Sequence, residues 1–151
     1  MKFTYSWLKD HLDTKLNVYK IGEILTNIGL EVECIENKSE ELKPFTVASV
    51  IKVDKHPNAD RLKICKIKAK KGNFKIICGA PNVQVGMKGI FAPEGSYIPG
   101  TGLLLKKTKI RGIDSNGMLV SEKEMGISDD HDKIIEVSKS YKIGESIVKI
   151  K

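Results

Sequence analysis

From Phe45 onward the apolar residues fall at alternate positions, and that change of period constrains the fold more than any other feature. Phe45, Val47, Ile51 and Val53 alternate with Thr46, Ala48, Lys52 and Asp54, which predicts a long strand ending at the turn residues His56-Pro57-Asn58. A second strand is expected over 62–70. Its alternation slips at Cys65-Lys66, with Leu62 and Ile64 to one face and Ile67 and Ala69 to the other, so a β-bulge is expected there. Lys70-Lys71-Gly72-Asn73 reads as a hairpin turn into a strand over 74–78. Shorter strands are expected over 89–92, 103–110, 118–120, 134–137 and 146–148, with Gly/Pro-rich connections such as 95–102. Ser121-x-x-Glu124 is a capping box, and Gly126 closes the short helix it would start. Short strands with turns at such intervals suggest a small barrel or sandwich. The long bent first strand, the hairpin and a short helix between later strands fit an OB-fold β-barrel best, although periodicity leaves other small barrels open.

Residues 1–42 read differently, as a small α+β unit. Ser6 is placed to cap a short helix through Trp7, Leu8 and His11. Asn17 is placed to cap a second helix, in which Ile21, Ile24, Leu25 and Ile28 share one face before Gly29 stops it. Residues 30–35 alternate as a strand, and the polar stretch 37–44, ending in Pro44, reads as a linker. The expectation is a mostly β chain with an α+β unit over 1–42 and an OB barrel over 43–151.

Charge is distributed unevenly between these units. The chain carries a formal +7, yet residues 43–111 hold 15 lysines or arginines against three acids, Asp54, Asp60 and Glu94. A local balance of +12 makes a polyanion the natural partner. No apolar run approaches the roughly 20 residues of a membrane-spanning helix, and the N-terminus lacks the pattern of a signal peptide. Cys34, Cys65 and Cys78 form no Cys-x-x-Cys pair, which points to free thiols in a reducing cytosol.

Catalytic chemistry finds little footing. His56 and Asp60 fit a turn, with Asn58 and Asp60 bonding nearby backbone N–H groups. Asp129-Asp130-His131-Asp132 lacks the glycine and terminal glutamate of a calcium loop, Cys65 and Cys78 lack the paired ligands of a zinc site, and 95–102 is no phosphate loop. Ser121 beside His131 is better explained as a cap. No catalytic or metal-ligating residue is assigned. Lys52, Lys63, Lys66, Lys68, Lys75, Lys107 and Lys109, by contrast, would project mostly outward from strands. With few aromatics in the stretch (Phe45, Phe74, Phe91, Tyr97), phosphate geometry and RNA shape are the expected targets.

Val47-x-x-Val50, His56-Pro57-Asn58-Ala59-Asp60-Arg61-Leu62 and Arg111-Gly112-Ile113-x-Ser115-x-Gly117-Met118 together resemble the signature of the tRNA-binding OB domain shared by several synthetase-associated proteins. Two further segments, Ile77-Cys78-Gly79-Ala80-Pro81-Asn82-Val83 and Tyr5-Ser6-Trp7-Leu8 followed by Ile28-Gly29-Leu30-Glu31-Val32-Glu33, resemble the bacterial phenylalanyl-tRNA synthetase β subunit. Val120, Met125 and Lys133 stand where that family commonly has Cys, Leu and Gly. The resemblance implies an auxiliary, cytoplasmic role: holding tRNA, specifically that for phenylalanine, in an α2β2 complex. There the α subunit aminoacylates with ATP and Mg2+, and editing occurs further along the β chain, so no cofactor is expected in this stretch. It also implies that residues 1–42 are completed by chain following the barrel. The expected phosphate contacts are Lys52, Lys55, Arg61, Lys63, Lys107, Lys109 and Arg111, on loops shaped by His56, Pro57, Asn58, Asp60, Ser115, Asn116 and Gly117. A stand-alone tRNA-binding or chaperone-like OB protein, and a protein-docking module, are the alternatives.

Overall fold

Strands β1 (Thr46–His56), β2 (Ala59–Ala69) and β3 (Gly72–Cys78) follow one another through two-residue turns, because Pro57-Asn58 and Lys70-Lys71 interrupt otherwise continuous alternation. The computed structural model describes residues 1–149; residues 150 and 151, the end of the expected barrel domain, lie outside the described residues. Beyond β3 come β4 (Lys88–Ala92), the β5 (Tyr97–Ile98) and β6 (Leu103–Leu104) hairpin, the β7 (Thr108–Ile110) and β8 (Ile113–Ser115) hairpin, and β9 (Met118–Leu119). The main sheet is antiparallel in the order β3-β2-β1-β4-β9. It curls until β3 meets β8 and β9. There the Asn116 N–H donates to the Lys75 carbonyl at 2.9 Å, and the Ile77 N–H donates to Ser115 Oγ at 3.0 Å. The architecture is mostly β, an antiparallel barrel of OB type.

The bulge lies in β1, not at Cys65-Lys66 in β2. Val50 pairs with Ile67 and Lys52 with Lys66, so Ile51 is the extra residue, and β2 stays in register with β3 from Lys63 to Ala69. The consequence is large. Without the bulge Lys52 would oppose Cys65 and point inward; with it, Lys52 faces out and Val53 takes the inward place opposite Cys65.

Two apolar clusters fill the unit. Val50, Cys65, Ile67, Ile76, Phe91 and Leu119 form one; Phe45, Val47, Ile90, Ile98, Val120 and Met125 form the other. Val47 and Ala48 are therefore both buried, one in each cluster, which strict alternation does not anticipate. Val120 and Met125 are both buried in the second cluster.

Several expected elements are shorter or different. The strand expected over 103–110 is split into β6 and β7. Residues 134–137 and 146–148 make only single bridges, Ile134 to Ser121, Glu136 to Gly89 and Ser146 to Thr46, and Ile147–Lys149 is a 3-10 turn. The capping box forms, with the Ser121 N–H donating to Glu124 Oε2 at 2.5 Å, but it closes one turn rather than a helix. The polar stretch read as a linker contains α3 (Lys38–Leu42), whose Leu42 packs against the second cluster. Two helices precede it, α1 (Tyr5–His11) and α2 (Val18–Asn27).

The chain divides into two compact units, Met1–Asn37 and one starting at Lys38. In the first, Thr4 rather than Ser6 caps α1, accepting from the Trp7 N–H at 3.2 Å, and Asn17 caps α2 as expected, accepting from Lys20 N–H at 2.9 Å. Residues 30–35 form no strand, because no neighbouring strand is there to pair with. They lie over α2 instead: Val32 N–H donates to Thr26 Oγ1 at 3.2 Å, and a Cβ on Gly22 would come within 2.7 Å of Ile35 Cδ1. Ile21 is the only buried hydrophobic side chain described in this unit, while Trp7, Tyr19, Ile28 and Leu30 are exposed.

Cys65 and Cys78 are buried free thiols, and Cys34 is exposed. Burial pushes the Cys65 thiol from 9.0 up to about 12 and raises Cys78 as well. Above pH 9 the unfolded chain ionises these thiols while the folded one does not, so stability falls as pH rises from 9 towards 12. Each buried thiol contributes a slope of up to about 1.4 kcal/mol per pH unit. Urea titrations of Cys65→Ala across this range should show a shallower alkaline loss than the parent chain. Equal slopes would refute the assignment.

Candidate nucleic-acid interface

The two motif segments, 54 residues apart, meet at one end of the barrel. His56, only 5% exposed, closes the β1–β2 turn. A backbone N–H can only donate, so the Asn58 N–H at 3.1 Å makes His56 Nδ1 the acceptor, and Nε2 carries the proton it gives to the Ile110 carbonyl at 3.1 Å. The Asn58 side chain, expected to bond within its own turn, bonds across the junction instead. Its Nδ2 donates to the Arg111 carbonyl at 3.3 Å.

That carbonyl belongs to the β7–β8 turn, where Arg111 (φ 50) and Gly112 (φ 87) are both left-handed between the paired Ile110 and Ile113. This is a primed two-residue hairpin turn, and an arginine in it is unusual. The Asn58 bond helps hold it there, so the Arg111 side chain is presented from a braced backbone. Pro57 and Asp60 are exposed on the adjoining turn. Asp60, Arg61 and Leu62 are unpaired between the register pairs His56–Ala59 and Lys55–Lys63, which sets Arg61 out to solvent. Ser115, 4% exposed, also donates to the Gly117 carbonyl at 3.1 Å, so Ser115, Asn116 and Gly117 form the barrel seam behind the turn.

The expected phosphate contacts separate into groups. Lys55, Arg61 and Arg111 are exposed on the two joined turns. Lys109 is exposed on β7 opposite Asp114, and Lys107 is exposed on the connection before it. Lys63 differs from these: its Nζ donates to the carbonyls of Pro81 and Val83 at 3.2 and 3.3 Å, so it fastens a loop. The same loop is pinned by Asn82, whose amide exchanges two hydrogen bonds with the backbone of Ile134, at 3.0 and 3.1 Å. The Cys78-Gly79-Ala80-Pro81-Asn82 segment is thus structural.

Lys52 belongs to a different arrangement. It lies opposite Lys66, and Lys66 lies opposite Lys75, giving a row of three lysines across β1, β2 and β3. Lys66 and Lys75 were expected to face outward but not counted among the contacts. The row flanks a shallow groove of about 450 Å3 whose lining includes Asp54, Ile64 and Phe74. Only Asp54, 2.9 Å from Lys52 Nζ, offsets the charge there. Like charges directly opposite on neighbouring strands are destabilising, by about 0.2–1 kcal/mol a pair. Among the described residues, no group of three or more His, Cys, Asp or Glu side chains is placed to hold a metal ion. No helix among them is long and apolar enough to cross a membrane.

The family model described as "Putative tRNA binding domain" matches residues 45–146. The chain belongs to this family. The matched tRNA-binding domain takes in all five strands of the main sheet and both joined turns. The chain is also 49% identical over 150 residues to the phenylalanine–tRNA ligase β subunit of Rhodospirillum rubrum, covering 99% of this chain and 19% of that protein. To the same subunit of Ruegeria pomeroyi it is 48% identical over 148 residues, covering 98% of this chain and 18% of that one. It thus spans about a fifth of the length of these curated relatives. Among solved structures, a MetRS related protein from Pyrococcus horikoshii matches with TM-score 0.53 at 22% identity, over 74% of this chain and 95% of that one. An RNA ligase from Naegleria gruberi matches with TM-score 0.51 at 14% identity, over 72% and 33%. At such identities these two show the fold alone.

Proposed function

We propose that this chain is the N-terminal, tRNA-binding part of a phenylalanine–tRNA ligase β subunit, and that it holds the tRNA backbone by charge while aminoacylation and editing occur elsewhere. The observation that carries the reading is the junction of the two turns, where His56 and Asn58 brace the backbone that presents Arg111 beside Lys55 and Arg61. The lysine row extends this cationic surface over β1–β3. OB barrels bind nucleic acid on that face and on the loops at its rim. Lys52, Lys55, Arg61, Lys107, Lys109 and Arg111 are the proposed phosphate contacts, joined along the row by Lys66 and Lys75, and Lys63 is the support beneath them. ATP and Mg2+ belong in this reading to the whole ligase. No step through either is assigned to this chain. An α subunit in an α2β2 complex, phenylalanine-specific tRNA and a cytoplasmic location complete the proposal; the free thiols support the last.

Filter-binding titrations with a tRNA transcript at several salt concentrations test it. If roughly 4–6 phosphates are engaged, affinity should fall as about the third to fifth power of salt concentration. A flat response would reject the reading. The first unit gives a separate check. With so little of its apolar surface buried, amides of residues 18–35 should exchange faster than those of β1–β3, and equal protection in a monomer would count against an unfinished packing surface.

A further inference from the structure

The β5–β6 hairpin carries a feature that charge does not account for. Of the aromatic side chains inside the basic stretch, Phe45 and Phe91 are buried and Phe74 packs at a centroid distance of 5.1 Å from Phe91. Tyr97 alone is exposed, at 44%, and it stands directly opposite the exposed Leu104, with Leu103 exposed beside it. Large apolar side chains paired in solvent on a two-residue ladder stabilise little by themselves. Yet the hairpin is firmly held. Gly95 N–H and Leu105 N–H bond across it to the carbonyls of Leu105 and Ser96 at 2.7 and 2.8 Å, and Gly100 N–H docks its tip on the Glu124 carbonyl at 2.8 Å. A Cβ at Gly100 would fall 1.6 Å from the Lys123 carbonyl oxygen, so the tip lies flush against that turn. The platform is held at both ends, and the chain that leaves it is cationic. Residues 95–113 contain Lys106, Lys107, Lys109 and Arg111 and no acid.

A fixed aromatic face with apolar flanks, followed in the chain by cations, fits one kind of ligand: a nucleobase unstacked from its neighbours, with phosphates on either side. Apolar protein surfaces would not need the acid-free run. Resting on the tRNA-binding reading above, we propose that Tyr97 is a stacking platform for an unpaired base, flanked by Leu104, with Lys106 and Lys107 on the adjoining phosphates. This gives a chain that otherwise reads backbone charge a means of preferring RNA with exposed bases over plain duplex.

The experiment compares the parent chain, Tyr97→Ala and Tyr97→Phe for binding of a tRNA transcript and of a blunt-ended RNA duplex, each over a salt series. Tyr97→Ala should weaken tRNA binding roughly 5- to 100-fold, with an unchanged salt exponent because no charge is lost. Tyr97→Phe should bind as the parent does, and the duplex should not distinguish the three. Because Tyr97 is exposed, the melting temperatures should agree. Parent-like tRNA binding by Tyr97→Ala overturns the proposal, as does an equal loss on tRNA and duplex. The same holds if Tyr97→Ala leaves RNA binding intact and weakens association with a ligase α subunit, which would make the hairpin a protein-docking edge. A parent chain showing no salt-dependent tRNA binding would instead sink the underlying reading.

Discussion

Gly117→Ala is expected to cost about 3–5 kcal/mol, a large share of a domain's usual 5–15 kcal/mol of stability. Two penalties combine. At φ 103 the backbone occupies a region that residues with a Cβ rarely adopt, which costs about 1–3 kcal/mol. The added Cβ would also lie 2.5 Å from Phe91 Cε2 and 2.6 Å from the Ala92 carbonyl oxygen. Phe91 fills the first apolar cluster and Ala92 pairs with Met118, so neither yields without opening the sheet at β9. The Gly117 carbonyl also accepts from Ser115 Oγ, the atom that joins β8 to β3. Gly112→Ala is the control. It too has positive φ, at 87, but nothing lies within 4 Å of its Cβ position, so only the conformational penalty of about 1 kcal/mol applies. Urea denaturation of both variants measures the difference, and a Gly117→Ala protein within 1 kcal/mol of the parent would refute the role given to this seam.

The parts of this molecule legible in the sequence are those set by neighbours in the chain. The β2–β3 hairpin follows from alternation and the Lys70-Lys71-Gly72-Asn73 turn, and its register alone places Lys66 opposite Lys75. Alternation does not locate the bulge in β1, because Val47 and Ala48 are both buried, in different clusters, and apolar residues there do not mark a single face. A slip in period then shows up only at Cys65, on the partner strand. Residues 134–137 and 146–148 have strand-like side chains but partners of one residue each, and a ladder needs more than that. The role of Lys63 depends on where the 79–83 loop folds back, and the bonds from His56 and Asn58 span more than 50 residues, beyond any local pattern. The segments that meet there were nevertheless recognisable by family resemblance. Their residues answer to one junction: His56 and Asn58 on one side, the left-handed turn at Arg111-Gly112 on the other.

Neutralising two lysines of the row should move binding and stability in opposite directions. In Lys66→Gln/Lys75→Gln, two cations leave the face of β2 and β3, while Lys52 stays paired with Asp54. If each lysine meets a phosphate, the salt exponent for tRNA binding falls by about two. At a water-like dielectric each contact is worth about 1 kcal/mol at 4 Å, so affinity should drop roughly 30-fold at fixed salt. The folded chain without RNA should gain. Lys66 stands between two like charges, Lys52 and Lys75, and relieving both pairs stabilises by about 0.4–2 kcal/mol. A row kept only as a solvated surface would show the gain without the loss, and a row essential to folding would show the reverse. Weaker binding with a lower exponent, in a protein that melts higher, is the result that distinguishes a cationic track for RNA from both. An unchanged exponent would remove the row from the interface and leave the two joined turns to carry it.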